Sequence, residues 1–187
     1  MSFLSDAELK KSGFQSIGAN VKISSKAVFY GAEFINIGDN VRIDDFAILS
    51  AGEDGIDVGA YVHIAPFCLL AGAARISLGR YSGLSSRVSI YSSTDDYSGE
   101  WMTNPCVPND LRNVHSEAVL ISEHCIIGAS SVVLPGSQLG EACAVGSLSF
   151  VHGTLQAYSI YAGSPVKRLR DRSSNCIQLA INSPDIT

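Results

Sequence analysis

The sequence predicts an all-β protein, a parallel β-helix built from stacked triangular coils. The main observation is a six-residue repeat from Ile121 to Gln156, which reads ISEHCI, IGASSV, VLPGSQ, LGEACA, VGSLSF and VHGTLQ. Every block opens with Ile, Val or Leu, and five of the six have a small residue at the fifth position. Neither the helical period of about 3.6 residues nor the strand period of about 2 produces this spacing. A short fixed repeat is typical of a β-helix, in which the opening aliphatic residue and the small residue both point inward.

The same repeat occurs earlier in the chain, with small insertions. The openers Ile17, Ile37, Val58 and Leu78 lie 20, 21 and 20 residues apart. Three blocks of six make 18 residues, so each of these coils has two or three extra residues at one corner. We place the extra residues in loops near 30–34, 52–57 and 72–75.

Residues 1–16 are assigned to an N-terminal cap. Ser5 is a candidate N-cap, Glu8 stands three residues later as in a capping box, and Gly13 stops the helix. We therefore predict a short helix from Ser5 to Ser12 that closes the open end of the first coil. The β-helix itself is assigned to residues 17–156.

The repeat is interrupted between Ser92 and Glu117, where the sequence reads SSTDDYSGEWMTNPCVPNDLRNVHSE. A loop of this length inside a repeat domain is usually functional or disordered, and its aromatic residues argue against disorder. We assign residues 93–118 to an extended loop, called the arm, which lies over a site on the side of the column.

Residues 157–187 follow the last repeat. Gly163 and Pro165 indicate a turn, and the residues from Val166 to Arg172 are predicted to begin a short helix. The segment from Ser173 to Thr187 has little pattern and is expected to be a frayed tail.

Composition excludes several classes of function. A net charge of −5 and a pI near 5.2 argue against a nucleic-acid partner. The five cysteines have no CxxC pairing, and the four histidines show no short paired spacing, so we expect no metal site. No signal-peptide pattern and no long apolar run are present, so we expect a cytoplasmic protein without membrane insertion.

Two stretches near the C-terminal end, IGASSVVLPGSQLG and YAGSPVKRLRDR, resemble the hexapeptide-repeat acyltransferases of the maltose and galactoside O-acetyltransferase type. The stretches SSTDDYSGEWMTNPCVP and NVKISSKAVFYG resemble a subgroup that modifies bacterial surface sugars. That subgroup includes acetyltransferases for nucleotide-linked 4-amino-4,6-dideoxyhexoses. The resemblance covers Phe14 to Arg172. It implies a left-handed β-helix, a homotrimer, and acetyl-CoA as acyl donor in a groove between two columns.

The resemblance also implies which residues bind CoA. Backbone groups after the arm would bind the pantetheine amides, and basic residues of the tail would meet the phosphates. Many relatives have Thr-Lys after the last repeat to bind phosphate, whereas His152 and Gly153 stand there in this chain. The cofactor-binding candidates are Ala129, Ser130, Gly146, Ser147, His152, Lys167 and Arg170. For Lys167 and Arg170 the alternative is an ordinary solvated helix.

The candidate catalytic residues are Asp95, Asp96 and His63. The related O-acetyltransferases have a His-Pro dipeptide at the start of the arm, and Asp95-Asp96 occupies that position here. A carboxylate of ordinary pKa is a poor base for a hydroxyl, whereas an amine only has to be neutral when it attacks the thioester. The aspartates therefore favour N-acylation, with an Asx-turn as the alternative role. His63 ends a block at an outward position, and its alternative is an ordinary surface residue.

Trp101 and Asn104 are candidate substrate-binding residues because of their place in the arm. For His115 and His124 a loop or corner role is favoured. The leading hypothesis is N-acetylation of a nucleotide-linked deoxyamino sugar for surface polysaccharide synthesis, with acetyl-CoA as donor. The alternatives are a sugar O-acetyltransferase, with His63 or an aspartate of raised pKa as base, and a catalytically inactive trimeric scaffold.

Overall fold

Three parallel sheets form the sides of a column in the computed structural model, which describes residues 2–183. The first sheet contains, in spatial order, β1 (Ser16–Ile17), β4 (Ile35–Ile37), β7 (Ile56–Val58), β10 (Ile76–Leu78), β15 (Val119–Ile121), β18 (Gln138–Leu139) and β21 (Thr154–Leu155). The second sheet contains β2 (Lys22–Ile23), β5 (Arg42–Ile43), β8 (His63–Ile64), β11 (Gly83–Leu84), β16 (Ile126–Ile127), β19 (Ala144–Val145), β22 (Ser159–Ala162) and β23 (Lys167–Asp171). The third sheet contains β3 (Val28–Tyr30), β6 (Ile48–Ala51), β9 (Leu69–Gly72), β12 (Ser89–Tyr91), β17 (Val132–Val133) and β20 (Phe150–Val151).

The register of the first sheet confirms the predicted repeat. Ile17 pairs with Ile37, Ile37 with Val58, Val58 with Leu78, and Leu78 with Ile121. The openers from Ile37 onward are at most 3% exposed and belong to one continuous core. The predicted β-helix fold is therefore confirmed.

The small residues at the fifth positions are also buried, as predicted. Cys125 Sγ donates to the carbonyl of Gly140 at 3.2 Å, and Ser131 Oγ donates to the carbonyl of Gly146 at 3.1 Å. Burial raises the pKa of the Cys125 thiol to about 11. The thiol is therefore protonated at neutral pH and fills space in the core.

Two of the three corners are lined by non-glycine residues in the left-handed conformation. The first corner joins the first sheet to the second and contains Asn20, Asn40, Tyr61, Tyr81, His124, Ala142 and Tyr158. The second corner joins the second sheet to the third and contains Phe46, Phe67, Arg87, Ser130 and Leu148. The predicted loops and the arm lie at the third corner, between the third sheet and the first. His124 stacks on Tyr81 with ring centroids 4.8 Å apart, which agrees with the corner role favoured for it.

The predicted N-terminal helix is present as α1 (Asp6–Lys11). Glu8 accepts hydrogen bonds from the backbone N of Ser5 at 2.8 Å and from its hydroxyl at 2.6 Å, which forms the expected capping box. Leu9 is buried and joins the core. The helix thus covers apolar residues of the first coil.

The prediction of a helix beginning at Val166 and running to Arg172 is wrong. β23 occupies this stretch and pairs antiparallel with β22. The physical reason is that β22 would otherwise be the edge of the second sheet, with its backbone groups unpaired. The frayed tail predicted from Ser173 is also wrong for most of its length, because α2 (Asn175–Asn182) forms there. Residues 184–187 lie outside the described part of the chain.

Within residues 2–183, neither helix has the length and apolar character required to cross a membrane.

Candidate active site

A cleft of about 310 Å³ lies on the outer face of the second sheet. Its lining residues are His63, Ala65, Gly83, Leu84, Ser85, Ser86 and Ile126, and we call it the His63 cleft. Gly83 lies between its register partners His63 and Ile126 on neighbouring strands. A Cβ at Gly83 would meet no atom within 4 Å, so the missing side chain leaves open space beside the imidazole.

The ring of His63 is held by Asp44, a residue that sequence analysis missed. His63 Nε2 lies 2.8 Å from Asp44 Oδ2, and Arg42 Nε donates to Asp44 Oδ1 at 2.7 Å. The Asp44 side chain is 4% exposed, whereas that of His63 is 49% exposed. Burial opposes ionisation of Asp44, but hydrogen bonds from His63 and Arg42 outweigh it and hold the pKa of the carboxyl below its ordinary value. Arg42 and His63 are register partners, so the repeat spacing was the signal that could have revealed this contact.

Asp95 lies in a second cleft, on the third sheet. The base of the arm is a two-stranded ribbon of β13 (Ser93–Thr94) and β14 (His115–Ser116), and Asp95 follows β13 directly. The backbone N of Asn104 donates to Asp95 Oδ2 at 3.3 Å. The second cleft has a volume of about 460 Å³, and we call it the Asp95 cleft. It is lined by Tyr91, Ser93, Thr94, Asp95, Tyr97, Val132 and Leu134.

Asp96 uses both carboxylate oxygens within the arm. Oδ1 accepts from the backbone N of Ser98 at 2.7 Å, which is an Asx-turn, and Oδ2 accepts from Asn113 Nδ2 at 3.1 Å. Hydrogen bonds from the Ser98 hydroxyl and backbone, joined by Asn113, lower the pKa of this carboxyl. Asp96 therefore forms the Asx-turn that was given as its alternative role.

The two predicted substrate-binding residues lie in the exposed part of the arm. Asn104 is held by its own turn, since its Oδ1 accepts from the backbone N of Cys106 at 3.0 Å. Trp101 is 44% exposed. The backbone N of Asn104 also donates to Asp95, as described above.

The residues proposed to bind pantetheine lie together near the second corner. Ala129 and Ser130 follow β16, and Gly146 and Ser147 follow β19 on the next coil. The backbone N of Leu148 donates to the carbonyl of Ala129 at 2.9 Å, which holds the two turns in contact. All four residues are small, and each is at least partly exposed.

Lys167 lies close to this row in the same sheet. Ala162 pairs with Lys167 and follows Tyr161, whose carbonyl accepts from the backbone N of Gly146 at 2.8 Å. Two strand spacings of about 4.8 Å each place Lys167 roughly 10 Å from Gly146. The residues present therefore fit a ligand with a slender amide chain and an anionic end, as CoA has.

The other basic residues of the tail differ in their contacts: Arg170 is exposed, whereas Arg172 binds the column. Arg170 is exposed on β23, and neither it nor Lys167 forms an ion pair within residues 2–183. Arg172 Nη1 donates to the carbonyls of His124 at 2.8 Å and Cys143 at 3.3 Å, so it fastens the tail to the column. His152 follows β20 at the third corner, so the structure does not bring it together with Gly146.

The described residues contain no cluster of three or more His, Cys, Asp or Glu side chains placed to hold a metal ion.

Comparison with known proteins identifies the family. The chain is 48% identical over 179 residues to a dTDP-4-amino-4,6-dideoxy-D-glucose acyltransferase of Escherichia coli, across 96% of this chain and 93% of the relative. The chain belongs to the hexapeptide-repeat acyltransferases. It is also 31% identical over 148 residues to WbbJ of Escherichia coli K12, described as a putative lipopolysaccharide biosynthesis O-acetyl transferase, across 73% of this chain and 71% of that protein. No protein-family model matches the chain.

Solved structures of hexapeptide-repeat acyltransferases match the same fold. AntD, an N-acyltransferase from Bacillus cereus solved in complex with dTDP and 3-hydroxybutyryl-CoA, has a TM-score of 0.92 and 41% identity, across 97% of this chain and 99% of AntD. Variants of AntD have been solved with dTDP-4-amino-4,6-dideoxyglucose and Coenzyme A, also at a TM-score of 0.92. A hexapeptide-repeat acetyltransferase from Vibrio cholerae, complexed with acetyl-CoA, matches at a TM-score of 0.60 with 17% identity, across 91% of this chain and 80% of that one, and shows the fold alone.

One chain of this acyltransferase keeps its two candidate catalytic regions apart. The His63 cleft lies on the second sheet and the Asp95 cleft on the third, and they share no lining residue. A single chain therefore does not bring His63 and Asp95 into one cleft.

Proposed function

We propose that this protein transfers an acyl group from acyl-CoA to the amine of a dTDP-linked 4-amino-4,6-dideoxyhexose, with acetyl-CoA as the predicted donor. The observation that carries the proposal is the 48% identity, along nearly the whole chain, to an acyltransferase named for that sugar. A variant of AntD, at 41% identity, has been solved with both that sugar nucleotide and Coenzyme A. The reaction provides an activated sugar for surface polysaccharide synthesis, and we place it in the cytoplasm.

The chemistry of the arm supports an amine acceptor. An amine attacks the thioester carbonyl only when it is neutral, so a nearby carboxylate that accepts its N–H hydrogen bonds is sufficient to orient it. Asp95 accepts a hydrogen bond from Asn104 and lines a cleft, whereas both oxygens of Asp96 are engaged within the arm. We therefore assign the contact with the acceptor amine to Asp95. Asp96 is assigned the structural role of holding the arm in its conformation. Trp101 and Asn104 remain the candidates for contact with the sugar.

CoA is proposed to lie along the second corner. Its pantetheine amides would meet backbone groups of Ala129, Ser130, Gly146 and Ser147, and its phosphates would meet Lys167 and Arg170. Polar backbone next to small side chains permits close approach, and exposed cations favour an anionic end. When bound, the thioester supplies the electrophilic carbonyl carbon. His152 is proposed only as a peripheral contact, since it stands at another corner.

The predicted homotrimer is supported by the different outer faces of the sheets. The third sheet exposes Val28, Tyr30, Ile48 and Phe150, which are between 37% and 60% exposed. The outer face of the first sheet is mainly polar, with residues such as Asn36, Asp57, Ser77 and Gln138. An apolar sheet face of this kind favours burial against another copy. A trimer that packs the third sheet of one chain against the second sheet of the next would join the two clefts into one groove.

The activity is tested by mixing the protein with dTDP-4-amino-4,6-dideoxyglucose and either acetyl-CoA or 3-hydroxybutyryl-CoA. Thiol release is followed with a thiol reagent, and the product is tested with hydroxylamine, which cleaves esters but not amides. We expect a hydroxylamine-stable product, and no thiol release with dTDP-glucose, which has no amine. Light scattering in the same buffer is expected to give the mass of a trimer.

O-acetylation remains the second candidate because of the similarity to WbbJ. A hydroxylamine-sensitive product, or turnover with dTDP-glucose, would establish that activity instead. Absence of thiol release together with absence of heat on titration with CoA would leave only the scaffold role.

A further inference from the structure

Asp44 is an ion-paired carboxylate that lies next to a candidate site but does not face the cleft. Asp44 follows β5 and is 3% exposed, and it does not line the His63 cleft. Burying a carboxylate costs free energy unless it is paired and hydrogen bonded. Its two partners, Arg42 and His63, are both about half exposed, so the buried charge lies behind two groups that face solvent.

The contact with Asp44 determines which ring nitrogen of His63 carries hydrogen. An ionised carboxylate only accepts hydrogen bonds, so the 2.8 Å contact requires a hydrogen on Nε2. In the neutral ring, Nδ1 then has no hydrogen and presents its lone pair away from Asp44. No atom of residues 2–183 donates a hydrogen bond to Nδ1. A half-exposed ring that lines a cleft therefore offers a proton acceptor of fixed orientation.

We propose that Asp44 is a positioning residue that orients His63 so that its Nδ1 accepts a proton from the acceptor amine. This inference rests on the proposed function. The ammonium of the acceptor loses a proton to Nδ1, and the nitrogen lone pair forms a C–N bond to the thioester carbonyl carbon. The C–S bond then breaks, the CoA thiolate takes the second proton from nitrogen, and the proton on His63 passes to solvent. The products are an amide, CoA as a thiol, and one proton.

The neighbouring Asp45 provides a matched control for this proposal. It stands one residue away at the same corner, but its oxygens accept from Ser24 Oγ at 2.5 Å and from Lys26 Nζ at 3.2 Å, and it does not contact His63. Hydrogen bonding by Ser24, opposed by burial and aided by Lys26, lowers the pKa of its carboxyl as well. Asp45 thus reproduces the charge and the location of Asp44 without its contact to the imidazole.

The kinetic test compares His63→Gln, Asp44→Asn and Asp45→Asn in the full-length protein. We expect His63→Gln to lower kcat about 100-fold, since a positioned proton acceptor contributes at least that much. The amide of Asp44→Asn is free to donate to Nε2 and favour the other tautomer, so kcat should fall about tenfold or more with little change in the KM for acyl-CoA. Asp44→Glu should restore part of the loss, and Asp45→Asn should keep the wild-type kcat. Circular dichroism checks that each variant folds.

The spectroscopic test reads the tautomer directly. Long-range ¹H–¹⁵N spectra of the histidine rings, assigned with His63→Gln, are expected to show hydrogen on Nε2 and none on Nδ1 in the neutral wild-type ring. Asp44→Asn should change that pattern, and Asp45→Asn should not.

Three outcomes separate the possible failures. Wild-type kcat in His63→Gln or in folded Asp44→Asn overturns the proposal while leaving acyl transfer in place, and so does an Nδ1–H tautomer in the wild-type protein. If the wild-type protein turns over no aminosugar, the proposed function fails and the proton-acceptor role fails with it. In that case the spectra still decide whether Asp44 orients the ring.

Discussion

Replacing Gly128 by alanine should destabilise the column at the turn where CoA is proposed to bind. Gly128 follows β16 and does not have a left-handed φ, so alanine can adopt its backbone conformation. A Cβ at this position would nevertheless lie 2.4 Å from the backbone N of Ser147 and 2.7 Å from the carbonyl carbon of Gly146. Ordinary contacts of a Cβ lie at 3.4–4 Å, so the two coils must separate locally by about 1 Å. Overpacking of this kind costs about 1–3 kcal/mol.

The cost is measured by thermal and urea unfolding. For a chain of this size each kcal/mol lowers Tm by about 2–4 °C, so Gly128→Ala should lower Tm by about 2–12 °C. Gly83→Ala is the control, because a Cβ there meets nothing within 4 Å. Calorimetry should also show weaker CoA binding by Gly128→Ala, since the displaced backbone belongs to the proposed pantetheine row. A Tm within 1 °C of wild type, or an equal loss in Gly83→Ala, would refute this reasoning about contact between coils.

Two further predictions concern ionised groups. Because the pKa of Asp44 is lowered in the folded state, its ionised form stabilises the fold above the ordinary carboxyl value of 3.8, and this stabilisation is lost as the pH falls through the lower folded-state value. Urea unfolding should therefore show Asp44→Asn to be about 1–3 kcal/mol less stable than wild type at neutral pH, with a difference that shrinks as the pH falls below the ordinary carboxyl value of 3.8. A constant difference would contradict this linkage. Lys167→Ala should weaken CoA binding about three- to tenfold at low salt and less at high salt, whereas Lys10→Ala in α1 should have no effect. Calorimetry at two salt concentrations measures this difference, and equal binding by Lys167→Ala and wild type would remove Lys167 from the site.

Most of the fold could be predicted from the sequence because each coil of the β-helix buries residues at the same positions of the repeat. An opener such as Ile121 and a fifth-position residue such as Cys125 are buried for the same reason on every coil, so the pattern accumulates along the chain. The handedness and the oligomer were implied only by resemblance, because spacing along one chain does not distinguish them.

The two wrong predictions at the C-terminal end, a helix from Val166 and a frayed tail from Ser173, were made from the local sequence pattern. That pattern does not show that the edge of a sheet needs a partner strand. Residues 167–171 read KRLRD, and four of the five are charged, which is typical of a solvated segment. At the end of the column, however, β22 needs a partner strand, and β23 is that partner. The helix α2 did leave a signal, since Ile177, Ala180 and Ile181 recur at helical spacing. No packing partner for that face could be named from the sequence.

The site was only partly predictable, because its contacts cross between coils. Asp44 and His63 are 19 residues apart and meet through the register of β5 and β8. Asp96 was grouped with Asp95 because the two are adjacent, but the turn at Ser98 engages Asp96 and leaves Asp95 lining a cleft. Asp95 and Asp96 therefore differ in role although they are adjacent and of the same type. The difference depends on the path of the backbone through the arm.

The most direct test of the proposed amine acylation uses dTDP-4-amino-4,6-dideoxyglucose labelled with ¹⁵N at the amine, with acetyl-CoA as donor. We expect the protein to convert the labelled nitrogen into an amide, seen as a new ¹⁵N–¹H correlation that grows as free CoA thiol appears. Thiol release with the label remaining an amine would contradict it, because the acyl group would then have gone to a hydroxyl or to water.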